Sequence, residues 1–455
     1  MRGCRLRPGR VVREPEAVLA PSVPSEGVAC YVYGSVIKSG SLYRIWHQAV
    51  IPGFGDAVCH STSADGRTWV RELFNDGENL HISNAPTVDT LRVATNPAAW
   101  ERVFQGKNNI AASLHNPVVF APDNGDPYPG LYKIFGFTDK GYVVGFSEDG
   151  RRFHYADRSP VIPLTWYPNP NTGKKWVNDV GIPFWDGKKK RYVGLIKTYE
   201  IDAEGRTRRC IGFTESPDLI EWQPVRTIWT PGREADEIAR EDGFNWADFY
   251  GMPSFPYGDG YLGFLWIFRI ESELPKGTHL GKVQIYLAWS RDAEHWELVS
   301  REPLIANPPD GEWGCGAIYT ASLPVREADR EKIYFGASDA LHGAWEIKRP
   351  PLGTHPMSIG LATLPKNGFC RMWAEAGTFV VRAPGQGSTI SVIFSSDEKG
   401  RPSHAEIACD DRKLFSGNVR EGQRETIALP EGTAGAIRFR LENAGVYAIE
   451  FGPRE

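Results

Sequence analysis

The sequence lacks the features that mark several large classes of protein. Its 455 residues include no apolar stretch near the ~20 residues that a membrane-spanning helix needs. The 52 basic and 56 acidic residues give a net charge of −4, and neither sign forms a long run. The sequence therefore predicts neither a nucleic-acid partner nor a membrane partner.

The cysteines and the N-terminal segment also lack diagnostic patterns. The seven cysteines lie far apart, include no Cys-x-x-Cys pair and are odd in number, which is typical of buried free thiols in a reducing compartment. The basic segment Met1–Arg13 has no apolar region of the kind that a signal peptide contains. We therefore expect a cytoplasmic protein.

Amphipathic helical periodicity is nearly absent, and a repeat of another kind is present instead. The pattern Ser-x-Asp-x-x-x-aromatic occurs four times, and an aromatic-rich apolar run precedes each copy. The copies are Ser63/Asp65/Trp69, Ser147/Asp149/Phe153, Ser216/Asp218/Trp222 and Ser290/Asp292/Trp296. Regular repeats indicate a solenoid, a propeller or an array, and short strands with polar turns favour the propeller.

The second repeat illustrates the predicted unit. Its strand-like segments are His115–Ala121, Leu131–Phe137, Tyr142–Ser147 and Arg152–Tyr155. Four antiparallel strands make one propeller blade. Counting five such units, we predict an all-β fold, with a five-bladed β-propeller over residues 29–365 and a C-terminal β-sandwich over residues 366–455. Residues 1–28 are predicted to form an irregular lead-in, from which Val11–Leu19 adds an outer strand that closes the ring.

The Ser-x-Asp repeat itself is predicted to be structural. Its aspartate accepts backbone N–H groups in the turn between the last two strands of a unit. Its aromatic residue packs between neighbouring units. The repeat therefore indicates where each unit begins, and so where functional residues are to be sought.

Candidate functional residues lie where the first strand of each unit begins, because these strands border the central channel of a propeller. Three carboxylates recur at such positions, and each has a tryptophan within three residues. The pairs are Asp179 with Trp176, Asp248 with Trp246, and Glu312 with Trp313. Carboxyl groups beside aromatic platforms predict a glycosidase with a carbohydrate substrate, because such an enzyme needs one protonated carboxyl and one carboxylate.

Each candidate has an expected role. Asp179 is assigned as base or nucleophile, Asp248 as the carboxylate that orients groups and tunes the acid's pKa, and Glu312 as the acid. Residues expected to line the sugar subsite are Asn109, His115, Trp246, Tyr250, Trp313, Tyr319 and His342. The sequence contains no recognisable metal-ligand cluster, phosphate loop or nucleophile elbow, so no cofactor is expected. A structural ion such as calcium in the central channel is left open.

Eight segments carry a family resemblance. They are Ser63–Trp69, Asn108–Ile110, Asn178–Asp186, Gly311–Tyr319, Tyr334–Gly343, Ile359–Ala362, Lys366–Phe369 and Tyr447–Phe451. Together they resemble the five-bladed propeller glycosidases of the glycoside hydrolase family 32 and 43 type, above all uncharacterised bacterial proteins named family 32 N-terminal-like. The resemblance implies hydrolysis of a terminal furanoside or related sugar by a carboxylate pair, and a β-sandwich after the propeller.

The chain also departs from both families. The family 32 motifs Trp-x-Asn-Asp-Pro-Asn-Gly, Arg-Asp-Pro and Glu-Cys are absent. Family 43 enzymes carry their base aspartate in the first blade. Ahead of its Ser-x-Asp turn, the first unit of this chain has only Glu26 and Asp56.

Two alternatives to a hydrolase follow from the same residues. A non-catalytic carbohydrate-binding propeller would keep the aromatic walls but place its carboxyl groups more than ~10 Å apart. A propeller phosphorylase or lyase is the other alternative. A phosphorylase would need basic residues near the acid, for which Lys197, Arg269 and His342 are the candidates.

Overall fold

A computed structural model describes residues 2–51, 55–74, 108–168, 173, 175–383, 389–409, 412–430 and 435–452. This part of the chain is nearly all β-structure, with one α-helix, α1 (Arg233–Glu241). The sequence did not predict α1, because only Ala235, Ile238 and Ala239 form its buried apolar face. No helix among the described residues is long and apolar enough to cross a membrane.

The lead-in contains two short strands, although the sequence predicted an irregular segment. β1 (Arg5–Pro8) pairs antiparallel with Cys370–Arg382, and β2 (Val12–Arg13) pairs antiparallel with Ser358–Pro365. Both strands are too short for a periodic pattern to reveal them. β2 lies within the stretch from which an outer strand was expected.

Group 1 is a four-stranded antiparallel sheet in chain order. Its strands are β3 (Ala29–Ser39), β4 (Leu42–Ile51), β5 (Gly55–Ser63) and β6 (Ile110–Ala112). The strands β3 to β5 are long, whereas the short β6 pairs with β5 only at Val58 and Cys59.

Group 2 pairs its strands in the order β7, β8, β9, β10, with β11 also on β9. The strands are β7 (His115–Phe120), β8 (Tyr132–Thr138), β9 (Gly141–Ser147), β10 (His154–Tyr155) and β11 (Ile162–Pro163). The first four strands confirm the predicted segments. After them, β12 (Trp166–Pro168) and β13 (Lys175–Val177) form a separate two-stranded sheet.

Group 3 is again four antiparallel strands in chain order. They are β14 (Gly181–Asp186), β15 (Arg191–Ile201), β16 (Thr207–Ser216) and β17 (Arg226–Trp229).

Groups 4 and 5 form one continuous ten-stranded sheet with β2 at its edge. Group 4 comprises β18 (Trp246–Gly251), β19 (Ser254–Tyr257), β20 (Gly260–Glu273), β21 (His279–Ser290) and β22 (Trp296–Leu298). Group 5 comprises β23 (Ala317–Thr320), β24 (Val325–Arg326), β25 (Arg330–Ser338) and β26 (Ser358–Pro365). The two groups are joined by the single parallel residue pair Val283–Ala317.

Contacts between the groups form a closed circuit. β3 contacts β7, β7 contacts β14, β14 contacts β19, β20 contacts β23, and β23 contacts β3. The aromatic residues of the Ser-x-Asp repeat lie at these junctions, as predicted. The ring centroid of Trp222 is 5.6 Å from that of Phe135 in group 2, and Trp69 is 5.9 Å from Tyr334 in group 5.

The Ser-x-Asp turns have the predicted hydrogen bonds. Asp65 Oδ1 accepts the N–H groups of Arg67 at 2.7 Å and Thr68 at 2.8 Å. Ser63 Oγ accepts the N–H of Gly66 at 2.8 Å, and this glycine has a left-handed φ of +72°. The same aspartate contacts recur at Asp149, Asp218 and Asp292.

The C-terminal part is a seven-stranded sheet that includes β1 and covers its own hydrophobic cluster. Its other strands are β27 (Cys370–Arg382), β28 (Thr389–Ser395), β29 (His404–Cys409), β30 (Arg412–Asn418), β31 (Arg424–Ala428) and β32 (Ala436–Gly452). The last strand, β32, is continuous over 17 residues. The polar pair Glu442-Asn443 resembles a turn, but the strand passes through Asn443 with a φ of 45°.

Candidate active site

The first strands of the five groups meet at one cavity of about 630 Å³. Its lining includes Tyr31 and Tyr33 on β3, His115 on β7, Asp179 just before β14, Tyr250 on β18, and Ala317 and Tyr319 on β23. A smaller cavity of about 230 Å³ adjoins it. The two share Asp56, His115, Val177 and Asp179, and together they form the candidate active site.

Asp179 occupies a firmly positioned segment at the start of group 3. The N–H of Gly181 donates to Asn116 Oδ1 of group 2 at 2.8 Å, which fixes the entry to β14. The Asp179 side chain is 22% exposed, and its carboxylate forms an ion pair with Lys197 of β15. The Lys197 cation stabilises negative charge on a carboxylate that a substrate can reach.

Asp56 is the second carboxylate that both cavities share. It lies on β5 opposite Val50, which also lines the larger cavity. His115 Nδ1 is 2.9 Å from Asp56 Oδ2 and 2.9 Å from Gln48 Nε2. Depending on the tautomer, Nδ1 either donates to the carboxylate or accepts from the amide.

A basic residue forms the wall beside Tyr250. The Arg209 guanidinium of β16 lies 4.8 Å from the Trp176 ring centroid and 5.7 Å from that of Tyr250. Its NH1 group donates to Asp248 Oδ2 at 2.9 Å. Among the described residues, Arg209 Nε has no hydrogen-bond partner. The guanidinium therefore retains one donor while most of its surface is covered.

Asp248 lies behind this wall and is fully buried. Its carboxylate is 2.9 Å from His279 Nδ1 and 3.4 Å from Arg208 Nε, in addition to the Arg209 contact. Burial alone raises the pKa of Asp248, but His279 and the two arginines outweigh it and lower the pKa to about 2. Asp248 therefore holds Arg209 in position and stays ionised.

His342 has a defined protonation state. Its Nδ1 is 3.2 Å from the His279 carbonyl oxygen and therefore carries the proton, because a carbonyl only accepts. Nε2 then accepts from the Tyr250 hydroxyl at 3.1 Å. Burial, reinforced by the charge of Arg209, lowers the pKa of His342 well below its ordinary value, so the ring is neutral.

Two exposed tryptophans stand at the mouth. Trp345 is 67% exposed and lines the larger cavity, with its ring centroid 4.9 Å from that of His342. Trp166 is 54% exposed and lines the smaller cavity. Large exposed aromatic faces beside a cavity are typical of binding sites, and sugar rings stack on them.

Five of the ten residues predicted for the site line the cavities. They are His115, Asp179, Tyr250, Tyr319 and His342. The other five lie elsewhere: Asp248, Glu312, Asn109, Trp246 and Trp313. Asn109 is buried inside group 1, where it accepts from Ser25 Oγ at 2.7 Å. Trp246 lies under the Arg206 guanidinium, 5.3 Å from its ring centroid.

Glu312 and Trp313 belong to the turn that precedes β23. Glu312 is exposed, and its N–H donates to the Pro309 carbonyl at 3.1 Å. Trp313 stacks on Phe335 at 5.9 Å under the Arg13 guanidinium. Neither side chain lines the cavity, whereas Ala317, the first residue of β23, does.

Sequence reasoning did not place Asp56, Arg209 and the two tryptophans in the site. Asp56 comes from a third strand, whereas only first strands were searched. The available signal was the resemblance to family 43, since Asp56 and Glu26 are the two acidic residues ahead of the first Ser-x-Asp turn. Trp166 and Trp345 gave no periodic signal, because they lie outside the repeated strands.

Comparison with known proteins gives a consistent but distant picture. No protein-family model matches the chain, and no curated protein matches it. Solved structures that match include a fructofuranosidase from Schwanniomyces occidentalis, with 9% identity, 95% of this chain and 96% of that chain covered, and a TM-score of 0.43.

Two further structures match over most of the chain. The α-L-arabinofuranosidase from Podospora anserina, in complex with cellotriose, is 10% identical with a TM-score of 0.46, covering 79% of this chain and 96% of its own. A glycosyl hydrolase from Bacteroides ovatus is 13% identical with a TM-score of 0.47, covering 78% and 94%. The resemblance to propeller glycoside hydrolases of the family 32 and 43 type is thus confirmed as a likeness. It assigns no residue or substrate to this chain.

Proposed function

We propose that the chain is a glycoside hydrolase that removes a terminal sugar from an oligosaccharide or glycan. The observation that carries the proposal is that Asp56 and Asp179 line the same two cavities between aromatic walls. Most glycosidases hydrolyse the glycosidic bond with two carboxyl groups that face one sugar site.

The proposed scaffold is a five-bladed β-propeller over residues 29–365, with a β-sandwich over residues 366–455. The closed circuit of contacts between the five groups supports it, as does the first strand or strand entrance that each group contributes to the cavity. The separate hydrophobic cluster under the C-terminal sheet supports the second domain.

Asp179 is the proposed base or nucleophile, and Asp56 with His115 is the proposed acid. Lys197 favours the ionised form of Asp179, as a base or nucleophile requires. His115 lies 2.9 Å from Asp56, and in the proposed mechanism this pair donates a proton to the leaving oxygen. This replaces the earlier assignment of Glu312 as the acid, since Glu312 is outside the cavity.

The substrate is proposed to be a furanoside or related sugar with at least one further sugar attached. The larger cavity is of a size that encloses one sugar ring, and the exposed faces of Trp345 and Trp166 lie where the next ring would leave it. The furanoside is expected from the family resemblance.

The test is hydrolysis of a panel of aryl glycosides, furanosides included, by the wild type and two variants. Asp179→Asn and Asp56→Asn are each expected to lower kcat by about 10²–10⁴-fold on the best substrate. The matched control is Asp310→Asn, whose side chain is 62% exposed and pairs with Lys282. Near wild-type rates in both cavity variants would contradict the assignment. Tight sugar binding with no hydrolysis on any substrate would favour a binding protein.

A phosphorylase is the second candidate, and a specific observation favours it. Lys197, Arg209 and His342 line the larger cavity together with the exposed Lys175 and Lys276. Arg269, the other basic residue considered, instead donates to Asp242 at 2.6 Å and does not line the cavity. Turnover that depends strictly on inorganic phosphate and yields a sugar phosphate would establish this activity in place of hydrolysis.

A further inference from the structure

A second cluster of reactive side chains lies inside group 1, apart from both cavities. Glu26, Cys30 and His47 each offer one ligand atom, and these three atoms all lie within 4.8 Å of one another. All three side chains are fully buried. None of them lines either cavity of the candidate active site.

The sheet register explains how the cluster is built. Cys30 on β3 is opposite Ala49 on β4, and His47 is two residues before Ala49. Cys59 on β5 is directly opposite His47. Because side chains alternate along a strand, Cys30, His47 and Cys59 share one face of three neighbouring strands. Glu26 reaches this face from the short turn that precedes β3.

The carboxylate of Glu26 is held firmly in place. The N–H of Ser22 donates to its Oε2 at 3.0 Å, and Arg71 Nε donates to its Oε1 at 3.0 Å. Hydrogen-bond partners of this kind orient the carboxylates that bind metal ions. Glu26 is therefore an ionised, pre-positioned oxygen ligand.

His47 supplies an independent indication that something is bound. Neither of its ring nitrogens has a hydrogen-bond partner among the described residues. Its Nε2 is at ion-pair distance, 3.5 Å, from Glu26 Oε1, but this contact is not a hydrogen bond. Leaving a buried polar atom unsatisfied costs about 1–3 kcal/mol, so native proteins rarely do so. A metal ion on His47 would satisfy the ring.

We propose that Glu26, Cys30 and His47 bind one Zn²⁺ ion that stabilises group 1. A thiolate, an imidazole and a carboxylate form the mixed sulfur, nitrogen and oxygen set that zinc prefers, whereas calcium and magnesium prefer oxygen alone. Cys59, opposite His47 on the same face, is a further sulfur donor. Tetrahedral zinc brings its ligands to within about 3.3–3.8 Å of one another, so closure needs roughly 1 Å of side-chain movement.

The burial of the cluster indicates a structural ion rather than a catalytic one. A catalytic zinc keeps an open position for water or substrate, and this site has no exposed ligand. The ion would link β3, β4 and the turn that carries Glu26. Its removal is therefore expected to lower stability and to affect hydrolysis only through folding.

The first experiment measures zinc by inductively coupled plasma mass spectrometry in the full-length protein purified with zinc. The expected content is about one zinc per chain in the wild type, and about none in Cys30→Ser and His47→Asn. The matched control is Cys210→Ser, because Cys210 is an equally buried free thiol on β16, and this variant is expected to keep its zinc. A folded wild type without zinc, or zinc retained in both cluster variants, would overturn the proposal.

The second experiment needs no variant and so covers the case in which the substitutions prevent folding. Wild-type protein refolded with Co²⁺ in place of zinc is expected to show thiolate-to-cobalt charge-transfer absorption, because Cys30 is a ligand. Absence of that absorption, with no difference in thermal stability between protein refolded with and without metal, would refute the site. Because neither measurement involves a sugar, the outcome is independent of the proposed hydrolase activity.

Discussion

Replacing Asp248 with asparagine removes a buried negative charge that contacts two arginines and a histidine. The carboxylate is fully buried and contacts Arg209, Arg208 and His279 at 2.9 to 3.4 Å. Removing one partner of a buried ion pair leaves uncompensated charge and typically costs about 3–5 kcal/mol. We expect the free energy of unfolding to fall by about this amount in Asp248→Asn.

The same contacts make the free energy of unfolding depend on pH, and Asp248→Asn should remove this dependence. An unfolded aspartate titrates near about 3.9, whereas the folded Asp248 has a pKa of about 2. Because the folded pKa is the lower one, Asp248 contributes stability above about pH 4 and loses that contribution as the pH falls towards 2. The difference corresponds to about 2–3 kcal/mol. In Asp248→Asn this part of the acid destabilisation should be missing.

Urea denaturation at pH 7 and pH 3 measures both effects. The matched control is Asp310→Asn, in which an exposed pair with Lys282 is broken at an expected cost below about 1 kcal/mol. Equal urea midpoints for the wild type and Asp248→Asn at pH 7 would refute the view that this carboxylate holds the basic wall together. A loss of activity without a loss of stability would instead restore Asp248 to a direct role in the reaction.

Two further substitutions test a binding role for a tryptophan at the mouth of the site and a structural role for a Ser-x-Asp turn. Trp345→Ala is expected to raise the KM for an oligosaccharide by roughly 2–10-fold, the equivalent of one lost stacking contact. The KM for a simple aryl glycoside and the unfolding free energy are expected to stay unchanged. An unchanged oligosaccharide KM would exclude a stacking role. Asp65→Ala removes the acceptor of two backbone N–H groups. Urea denaturation is expected to show an unfolding free energy lower by about 1 kcal/mol, with activity retained. A large loss of activity at unchanged stability would contradict the structural assignment of Asp65.

The strands were predictable because their signals are local. The Ser-x-Asp turns, the aromatic-rich runs and the polar turns each span a few residues, and the predicted strands of group 2 lie close to the observed ones. The α-helix and the continuity of β32 through Asn443 could not be predicted, for the opposite reason. Long-range packing made a helix from a mostly polar segment and carried a strand through Asn443, against the local pattern.

The site was only half predictable because its residues come from several strand positions. Asp179 was found because it directly precedes a first strand, and the strand entrance does face the cavity. Glu312 also lies beside a tryptophan, but a turn separates it from β23 and leaves it exposed. Asp56 reaches the cavity because β4 and β5 are long, which depends on strand pairing rather than on any motif.

The pairing of the N-terminal strands has a consequence for the order in which the chain is completed. β1 and β2 are synthesised before all the other described strands, yet their partners β27 and β26 come much later in the chain. Residues 5–13 therefore have no strand to pair with until β26 and β27 have been synthesised. Until they dock, β26 and β27 each present an open edge, the feature through which nascent chains join one another. Docking of this short segment pairs the backbone groups along one edge of each sheet.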